Sequence, residues 1–494
     1  MARTLDFIKA DFSATLFPLK TNHLLADLHG QEISNYIYQK VLDEAQKGDS
    51  FLSQQKVFAT KPKGHLRRTV KLDPVAEYFI YDICYRNRAI FRPAVSTNRN
   101  SFGYRFSNGS PIPVHVAYSD YKKQLKASTS EFKHNIQFDI ASYFNSIYHH
   151  DICHWFASQS EVSNADGSAL GQFFREINSG RSVDFLPHGI YPCKMLGNEF
   201  LKFLDQSGML KSAKIVRFMD DFTLFDDDTN ILRQDFIRIQ QLLGQFALNI
   251  NPAKTYYDNK VGDIQERLTD IRQSLIEIIT DYEEVATVSG VEFIETEMEV
   301  ESSLSRDQVD ALMGLLRSEA LEESDADLIL SFLRVHSDSL LDFLPICLRK
   351  FPNLIKQLYS ICSDISDRNS LVRIVQNYLD QENYFLEYQL FWLICIVEDY
   401  LMGVDAYGEV LAKLYELTAD MKIARAKVLE IPEQGFGFKE VRSEYLKTGQ
   451  SDWLSWSSAV GSRSLKPAER NYVLDYFSKS SPMNFLVASG VKKI

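Results

Sequence analysis

Two adjacent aspartates, Asp220 and Asp221, lie between two runs of strand-forming residues at 214–218 and 222–225. Runs of β-branched and aromatic residues on both sides of a short polar step are typical of a β-hairpin, which would carry both carboxylates at its turn. Neighbouring residues inside a strand point to opposite faces, whereas a tight turn can present both carboxylates near one place. A divalent metal ion would suit that place, although two aspartates alone are more often a polar turn.

A third carboxylate, Asp139, follows a segment in which alternate residues are apolar. Those residues are Ile136, Phe138 and Ile140. Asp139 would therefore lie on the opposite, open face of that strand. Three carboxylates about 4 Å apart repel by roughly 4 kcal/mol per pair at an effective dielectric of 20, so the cluster needs a bound cation or protonation. Oxygen ligands favour Mg²⁺ or Mn²⁺, and two such ions clamp the attacking and leaving oxygens in phosphoryl transfer.

Length and composition describe a globular chain. Its 494 residues with 45% hydrophobic content can bury a large core, and the length predicts about three domains. The six cysteines are far apart, without CxxC or Cys/His spacing, so they suggest neither a disulfide framework nor a zinc site and fit a reducing cytosol. The amino terminus has no apolar signal region, and the apolar run 391–397 is too short to span a bilayer. We expect a cytoplasmic protein without a membrane partner.

The net charge of −12 argues by itself against a nucleic-acid binder, but the charge is unevenly distributed. The segment 56–71 holds six basic residues and no acidic one, and 83–119 holds five arginines and no acidic residue. By contrast, 257–301 holds 13 acidic and 3 basic residues, a net charge of −10 that leaves −2 for the rest of the chain. A local basic surface is therefore expected before the hairpin, and a strongly acidic segment follows it.

Apolar residues at helical spacing dominate the second half of the chain. They predict a helix at 263–282 and, from residue 305 onward, a succession of amphipathic helices with short polar joints. Two of the expected buried faces are Leu354 with Leu358 and Ile361, and Leu371 with Val375 and Leu379. Such a succession predicts an α-solenoid or other helical array, here called HEAT-like, although the sequence contains no repeat consensus.

At six places, in order along the chain, the sequence resembles the reverse transcriptases over about residues 56–256. The matching segments are 63–74 and 100–106 for the fingers, 138–147 for the first palm motif, 186–198 for the LPxG segment, 218–221 for the aromatic-x-Asp-Asp hairpin and 248–255 for the lysine motif after it. The resemblance implies an α+β fold with fingers and palm over 1–256. An acidic helical connector at 257–303 and an all-α array at 304–494 would follow.

The resemblance also implies roles for individual residues. Asp139, Asp220 and Asp221 would be the catalytic metal ligands, with Mg²⁺ or Mn²⁺ as the cofactor. The implied nucleotide-binding residues are Lys63, Arg67 and Arg68 for the triphosphate, Phe144 for the bulky gate against a 2′-hydroxyl, and Gly189 and Lys254 from the LPxG and lysine motifs. His188 and Cys193 stand where the family pattern has a glutamine and a small hydroxyl residue, and these departures concern template handling more than metal chemistry.

A palm, an acidic segment where a duplex-gripping thumb should be basic, and a helical array together resemble the abortive-infection (Abi) reverse transcriptases of bacterial antiphage defence. That resemblance implies template-independent DNA synthesis from dNTPs, started from a protein tyrosine, with the DNA covalently attached, in a homo-oligomer. None of the 24 tyrosines lies in a motif that identifies the priming residue. Two other classes stay open: a template-copying reverse transcriptase of retron or group II intron type, and an inactive palm used as a nucleic-acid-binding scaffold.

Overall fold

The computed structural model describes residues 2–43, 48–92, 96–181, 185–258, 306–317, 321 and 323–494. The helix predicted at 263–282 and nearly all of the acidic connector at 257–303 lie outside the described residues. Among the residues described, no helix combines the length and the apolar character that crossing a membrane requires.

The contacts between residues divide the chain into two compact units. Unit one consists of Met1–Phe79 together with Glu301–Ile494, and unit two is Ile80–Val300. The sequence predicted a single domain at 1–256, whereas this division joins the first 79 residues to the carboxy-terminal helices. The reason lies in the packing within unit one, where the amino-terminal elements contact helices from both ends of the carboxy-terminal region.

The amino-terminal part of unit one has two helices and a hairpin, followed by the start of a third helix. Its elements are α1 (Ala2–Asp11), α2 (Lys20–Tyr36), β1 (Gln55–Thr60), β2 (Leu66–Lys71) and the first residues of α3 (Pro74–Arg86). β1 and β2 pair antiparallel, with Phe58 opposite Arg68 in the middle of the ladder. The α3 helix begins where it does because the Asp73 carboxylate accepts hydrogen bonds from the backbone N–H groups of Val75 and Ala76, and proline is favoured at a first helical position.

Unit two is built on a mixed β-sheet. Its strands are β3 (Arg99–Phe102), β4 (Phe106–Ser107), β5 (Ser110–Pro111), β6 (His134–Asp139), β7 (Lys214–Phe218), β8 (Asp221–Asp226) and β9 (Tyr256–Tyr257). Five of them form one sheet in the order β3-β7-β8-β6-β9, in which β3 runs parallel to β7 and the other neighbours are antiparallel. β4 and β5 form a small separate hairpin.

Helices cover both faces of this sheet. They are α4 (Val114–Glu131), α5 (Tyr143–Ser146), α6 (His149–Ala157), α7 (Asn164–Glu176), α8 (Tyr191–Phe200), α9 (Lys202–Asp205) and α10 (Thr229–Gly244). On one face the ring of Phe138 stacks on Phe222 at 5.4 Å and meets Phe236 of α10 at 5.3 Å. On the other face Tyr118 of α4 meets Phe218 of β7 at 5.1 Å. The apolar residues that alternate along each strand therefore pack against helices, which makes the fold of unit two α+β.

The described part of the carboxy-terminal region contains helices and no strand. The helices are α11 (Arg306–Leu316), α12 (Glu323–Leu333), α13 (Leu344–Lys350), α14 (Ile355–Cys362), α15 (Arg368–Gln381), α16 (Glu387–Ile396), α17 (Tyr407–Leu417), α18 (Lys422–Glu430), α19 (Phe438–Lys447), α20 (Trp453–Gly461), α21 (Pro467–Phe477) and α22 (Pro482–Val491). Along most of this run, each helix packs against the helix two positions further along the chain, as in two stacked layers. A helical region is thereby confirmed, while the HEAT-like assignment stays a prediction.

The predicted helical faces are confirmed as core. Leu354, Leu358 and Ile361 are each at most 4% exposed, and so are the three apolar residues singled out on α15. The α16 helix is buried from Tyr388 to its end, which explains why its sequence is apolar on all sides.

Candidate active site

The predicted hairpin is β7 and β8, and its turn carries the two adjacent aspartates. Phe218 pairs with Asp221 at the end of the ladder, so Asp220 lies in the turn and Asp221 is the first residue of β8. Met219 adopts a left-handed backbone with φ of 55°, which is uncommon for a residue other than glycine and makes the turn tight. The backbone N–H of Ile140 donates to the carbonyl of Asp220 at 3.3 Å, which joins this turn to the end of β6.

Asp139 lies directly opposite Asp221 in the register of β6 and β8. Residues paired across antiparallel strands point to the same face with their Cα atoms about 4.5–5.5 Å apart, so these two carboxylates share one end of the sheet. Asp139 is 4% exposed and Asp221 is 2% exposed, whereas Asp220 is half-buried. The structure thus brings together the strand ends that carry all three predicted ligands.

The expectation of an open face around Asp139 is wrong. The chain after α10 crosses the end of β6, where Asn251 donates its backbone N–H to the Asp139 carbonyl at 3.0 Å. On the neighbouring strand, Tyr121 of α4 lies against Thr223 and Asp221. Sequence alternation identified the correct face, but it carries no information about the helix and loop that cover that face.

Lys254, the residue of the lysine motif, lies beside Asp139. Its ammonium nitrogen is 3.5 Å from Oδ2 of Asp139, and its side chain is 30% exposed. The lysine is the last residue of a short 3-10 turn, Pro252–Lys254, and the preceding Asn251 accepts a hydrogen bond from the N–H of Ala253. A partly exposed cation therefore reaches the buried carboxylate from the solvent side.

Arg217 is a functional neighbour that the sequence analysis missed. Its side chain has no exposed surface, and its guanidinium binds the carboxylate of Asp205 at 2.7 Å. The same guanidinium donates to the carbonyl of Met219 at 2.9 Å and to Oδ1 of Asn198 at 2.9 Å. Arg217 therefore fixes the carbonyl just before Asp220 to α8 and α9. An arginine between the apolar residues Val216 and Phe218 of a strand was the available sequence signal.

Two buried tyrosines report the charge of the site. Burial raises the pKa of Tyr143 well above its ordinary value, and the nearby negative charge of Asp220 adds to that effect. Burial likewise raises the pKa of the Tyr121 hydroxyl, with a further contribution from Asp221. Both effects have the same origin, since a low-dielectric surrounding and a neighbouring anion disfavour the phenolate. These hydroxyls stay protonated, and that of Tyr143 donates to the carbonyl of Gly197 at 2.7 Å.

Phe144 and the LPxG segment lie next to each other. The Phe144 ring is 9% exposed and meets the ring of His188 edge-on at 4.7 Å, while the Phe144 carbonyl accepts from the N–H of Leu186 at 2.7 Å. Gly189 has a φ of 94°, a conformation that glycine adopts without strain. At Gly197 an added Cβ would lie 3.4 Å from the Phe144 ring, so α8 approaches this ring closely. Two sequence motifs thus form one wall.

The three predicted triphosphate ligands, Lys63, Arg67 and Arg68, belong to unit one. Lys63 is exposed at the hairpin tip with a φ of 58°, and its backbone N–H donates to the Glu323 carboxylate at 2.7 Å. Arg67 and Arg68 are half-buried on β2. Burial raises the pKa of the Tyr388 hydroxyl on α16, and Arg67 lies close enough for its charge to oppose that effect. The hairpin is therefore integrated with the helical part of its own unit.

The residues fit a magnesium site only in combination with a substrate. Within the described part of the chain, no set of three or more His, Cys, Asp or Glu side chains is close enough to hold a metal ion by itself. Mg²⁺ is commonly held by one or two carboxylates together with water and substrate phosphates, and Asp139 opposite Asp221 supplies such a pair. The donor set contains oxygen alone, which suits Mg²⁺ or Mn²⁺ and not zinc.

No family model matches this chain, and no curated protein matches it. A solved structure of telomerase from Candida albicans, in complex with a TWJ fragment of telomeric RNA, is similar with a TM-score of 0.27 and 12% identity, covering 84% of this chain and 69% of that one. A likeness at that level carries no argument about fold or function. The assignment of a function therefore depends on the site itself.

Proposed function

We propose that this chain is an abortive-infection reverse transcriptase, a nucleotidyltransferase that makes DNA from dNTPs by two-metal catalysis in antiphage defence. One observation carries the proposal: Asp139 stands opposite Asp221 across β6 and β8, with Asp220 in the adjoining turn and Lys254 within 3.5 Å of Asp139. Converging carboxylates at the end of a sheet are suited to oxygen-liganded cations.

In the proposed reaction, a hydroxyl oxygen attacks the α-phosphorus of a dNTP and pyrophosphate leaves. Asp139 and Asp220 would be the principal ligands of Mg²⁺ or Mn²⁺, with Asp221 completing the acidic site. When bound, the cations supply the positive charge that stabilises the developing negative charge on the phosphoryl oxygens. Arg217 holds the turn in place through the Met219 carbonyl, so it acts as a positioning residue.

The nucleotide would be recognised by residues from several motifs. Lys63, Arg67 and Arg68 would bind the triphosphate through charge-assisted hydrogen bonds. The packed ring of Phe144 would exclude a 2′-hydroxyl, and Gly189 would support the nucleotide from the adjoining segment. Rigid support of the ring by His188 and α8 suits a steric gate, because a loose side chain would move aside.

The finer part of the proposal is template-independent synthesis from a protein tyrosine by a cytoplasmic homo-oligomer with the DNA product attached. Its support is the sequence of 257–301, whose net charge of −10 would repel the phosphates of a duplex. The carboxy-terminal helices would serve as an enclosure or as oligomer contacts.

Two alternatives predict different behaviour. A template-copying reverse transcriptase of retron or group II intron type would need a primer and a template. An inactive palm used as a nucleic-acid-binding scaffold would bind without incorporation. The paired Asp139 and Asp221 favour an active enzyme over the scaffold, because buried carboxylates are costly to maintain without a use for their charge.

The test uses purified, nuclease-treated protein with a single labelled dNTP and Mg²⁺, without added nucleic acid. We expect the label to stay with the denatured polypeptide and the labelled polypeptide to migrate more slowly in a gel. Protease treatment should then release the label as free DNA. Asp139→Asn should remove the label, while the matched exposed control Asp227→Asn should keep it. Label found only as free DNA, and only with primer and template supplied, would establish the conventional enzyme instead. If no nucleotide is incorporated under either condition, the proposal that this chain is a polymerase is wrong.

A further inference from the structure

Two adjacent tyrosines on the edge strand β9 point to opposite faces of the sheet in unit two. In the register with β6, Tyr257 stands opposite Ile136 and Tyr256 stands opposite Gln137. Residues paired across strands share a face, and successive residues alternate. Tyr257 therefore belongs to the face of Ile136, and Tyr256 belongs to the face of Gln137.

The contacts of Tyr257 confirm this assignment of faces. Its ring lies 6.2 Å from the ring of Phe236, the α10 residue that also packs on Phe138. Tyr257 is thus on the face of the sheet that α10 covers, although it is itself 57% exposed. Tyr256, whose side chain must point the other way, is 39% exposed.

Tyr256 shares its face with Asp139. Asp139 is two residues after Gln137 on β6 and so lies on the same face, and Gln137 is paired with Tyr256. The ammonium of Lys254, two residues before Tyr256 in the chain, lies 3.5 Å from the Asp139 carboxylate, so the chain entering β9 passes beside that carboxylate. Tyr256 is consequently the diagonal neighbour of Asp139, and such diagonal pairs, roughly 7–8 Å apart, are within reach of an aromatic side chain.

Other tyrosines near the aspartates are unsuitable as nucleophiles. Tyr143 is 2% exposed and its hydroxyl is used in a hydrogen bond to Gly197, and Tyr121 is 3% exposed against Thr223. Tyr256 differs from both because a substrate can reach it from solvent and because a lysine, two residues earlier, lies on the same face.

We propose that the hydroxyl of Tyr256 is the nucleophile that receives the first nucleotide. This inference rests on the proposed function, protein-primed DNA synthesis, and deepens it by assigning the acceptor. The Tyr256 oxygen attacks the α-phosphorus of a dNTP and forms a phosphodiester to the tyrosine. The bond from the α-phosphorus to the oxygen bridging to the β-phosphate breaks, pyrophosphate leaves with its electron pair, and the phenol proton passes to water. No oxidant or reductant is involved, and the Lys254 ammonium favours the negative charge that develops.

The experiment compares Tyr256→Phe with the adjacent, matched control Tyr257→Phe. Each protein receives a labelled dNTP and Mg²⁺ without nucleic acid, and label on the denatured polypeptide is measured. Tyr256→Phe should lose at least about 100-fold of the label, corresponding to the loss of a nucleophile, while Tyr257→Phe should keep it. Thermal unfolding should be unchanged for Tyr256→Phe, because only an exposed hydroxyl is removed.

Peptide mapping of the parent protein gives an independent readout. Trypsin releases 255–260, which contains both tyrosines, and fragmentation distinguishes a nucleotide on Tyr256 from one on Tyr257. A nucleotide on Tyr256 supports the inference even if Tyr256→Phe fails to fold. A nucleotide on any other residue, or undiminished label on Tyr256→Phe, overturns the inference and leaves protein priming intact. A parent that labels only a supplied primer overturns the priming part of the proposed function, and the assignment of Tyr256 falls with it.

Discussion

Two groups of buried carboxylates, one in each unit, have cationic neighbours that differ in distance and exposure. In unit one, the ammonium of Lys427 is 1% exposed and lies 2.6 Å from the carboxylate of Glu398 and 2.7 Å from that of Glu430. In unit two, Asp139 and Asp221 face one another at the sheet end, and the ammonium of Lys254, whose side chain is 30% exposed, lies 3.5 Å from the Asp139 carboxylate. Both arrangements bury carboxylates, but only the first surrounds a buried cation closely.

The first arrangement has a structural purpose. Glu430 also accepts hydrogen bonds from the backbone N–H groups of Lys20 and Thr21, so it binds the start of α2 to α18. Burial alone would lower the pKa of Lys427, but the charges of Glu398 and Glu430 outweigh that effect and raise it well above its ordinary value. Because the ammonium of Lys20 also lies 3.1 Å from Glu398, two cations face the two carboxylates, and the cluster is neutralised by its own residues.

The second arrangement suits an incoming ligand. A longer contact with a half-exposed lysine is easier to rearrange than a dry pair at 2.7 Å, because solvent already screens it. A cation with its substrate phosphates can then take a position beside the carboxylates. The comparison teaches that burial of a carboxylate does not identify a site. The exposure and distance of its cationic neighbour distinguish the structural cluster from the candidate active site.

The largest expected effect is loss of activity without loss of fold. Asp139→Asn or Asp220→Asn should lower nucleotide incorporation at least about 10⁴-fold, roughly 5 kcal/mol, because each removes one negative charge from the proposed metal site. Rates of incorporation and thermal unfolding of the same preparations would be measured. Near-normal incorporation by either variant would contradict the proposed difference between the two units, because these carboxylates would then have a structural role like those in unit one.

The next largest effect is on stability. Lys427→Met should destabilise unit one by about 3–5 kcal/mol, because it removes the buried cation that contacts both Glu398 and Glu430. Arg217→Met should destabilise unit two by a similar amount, because it leaves the buried carboxylate of Asp205 without its cation. Urea unfolding would measure both, with Lys422→Met as the control on α18, since its ion pair with Asp452 is partly exposed. A cost for Lys427→Met no larger than that of the control would mean that the cluster is not structural.

The sequence was sufficient for features that depend on local pattern. Alternation along 136–140 and the two strand-forming runs around Asp220 determine the strands and the turn, and helical spacing determines the faces of α14 and α15. These features are local because a strand or helix face repeats every few residues. The prediction that these aspartates bind metal ions came from the resemblance to six ordered motifs.

Features that depend on distant pairing could not be predicted. Lys20 bonds to Asp399, a separation of 379 residues, and no local pattern contains that information. The covering of Asp139 and the packing of Arg217 against Asp205 and Asn198 depend likewise on which helices meet. The association of the first 79 residues with the carboxy-terminal helices is the largest example, because it is a property of the packed unit and not of either segment.

An intermediate effect concerns a buried carboxyl in unit one, Asp327, whose burial raises its pKa to about 7. The folded protein then holds a proton that the unfolded chain, with the ordinary pKa of 3.8, has released. The contribution of Asp327 to stability is therefore full below about pH 4 and is lost as pH rises towards 7. Between pH 5 and 7 the loss should be about 2 kcal/mol, since one pKa unit corresponds to about 1.4 kcal/mol.

Asp327→Asn should flatten this pH dependence, because the amide cannot ionise. Urea unfolding of the parent and the variant at pH 5, 6 and 7 would measure the difference. Glu199→Gln in unit two should flatten the remaining pH dependence in the same way, because burial also raises the pKa of that carboxyl to about 7 although Lys202 opposes the rise. A parent whose stability increases from pH 5 to 7, with Asp327→Asn unchanged in slope, would show that this carboxyl is ionised in the folded state.

The smallest expected effect concerns the shape of the candidate site. Phe144→Ala should raise the use of ribonucleotides relative to deoxynucleotides by about 10-fold, roughly 1.4 kcal/mol, because it removes the ring that would clash with a 2′-hydroxyl. The ratio of the two kcat/KM values is the proper measure, since the ring also packs against His188 and its loss will lower the amount of folded enzyme equally for both substrates. Phe144→Tyr retains the bulk and should retain the discrimination. If the parent already uses both nucleotides equally, Phe144 does not act as a gate. The contact between Phe144 and His188 would then serve core packing only, as the buried faces of the carboxy-terminal helices do.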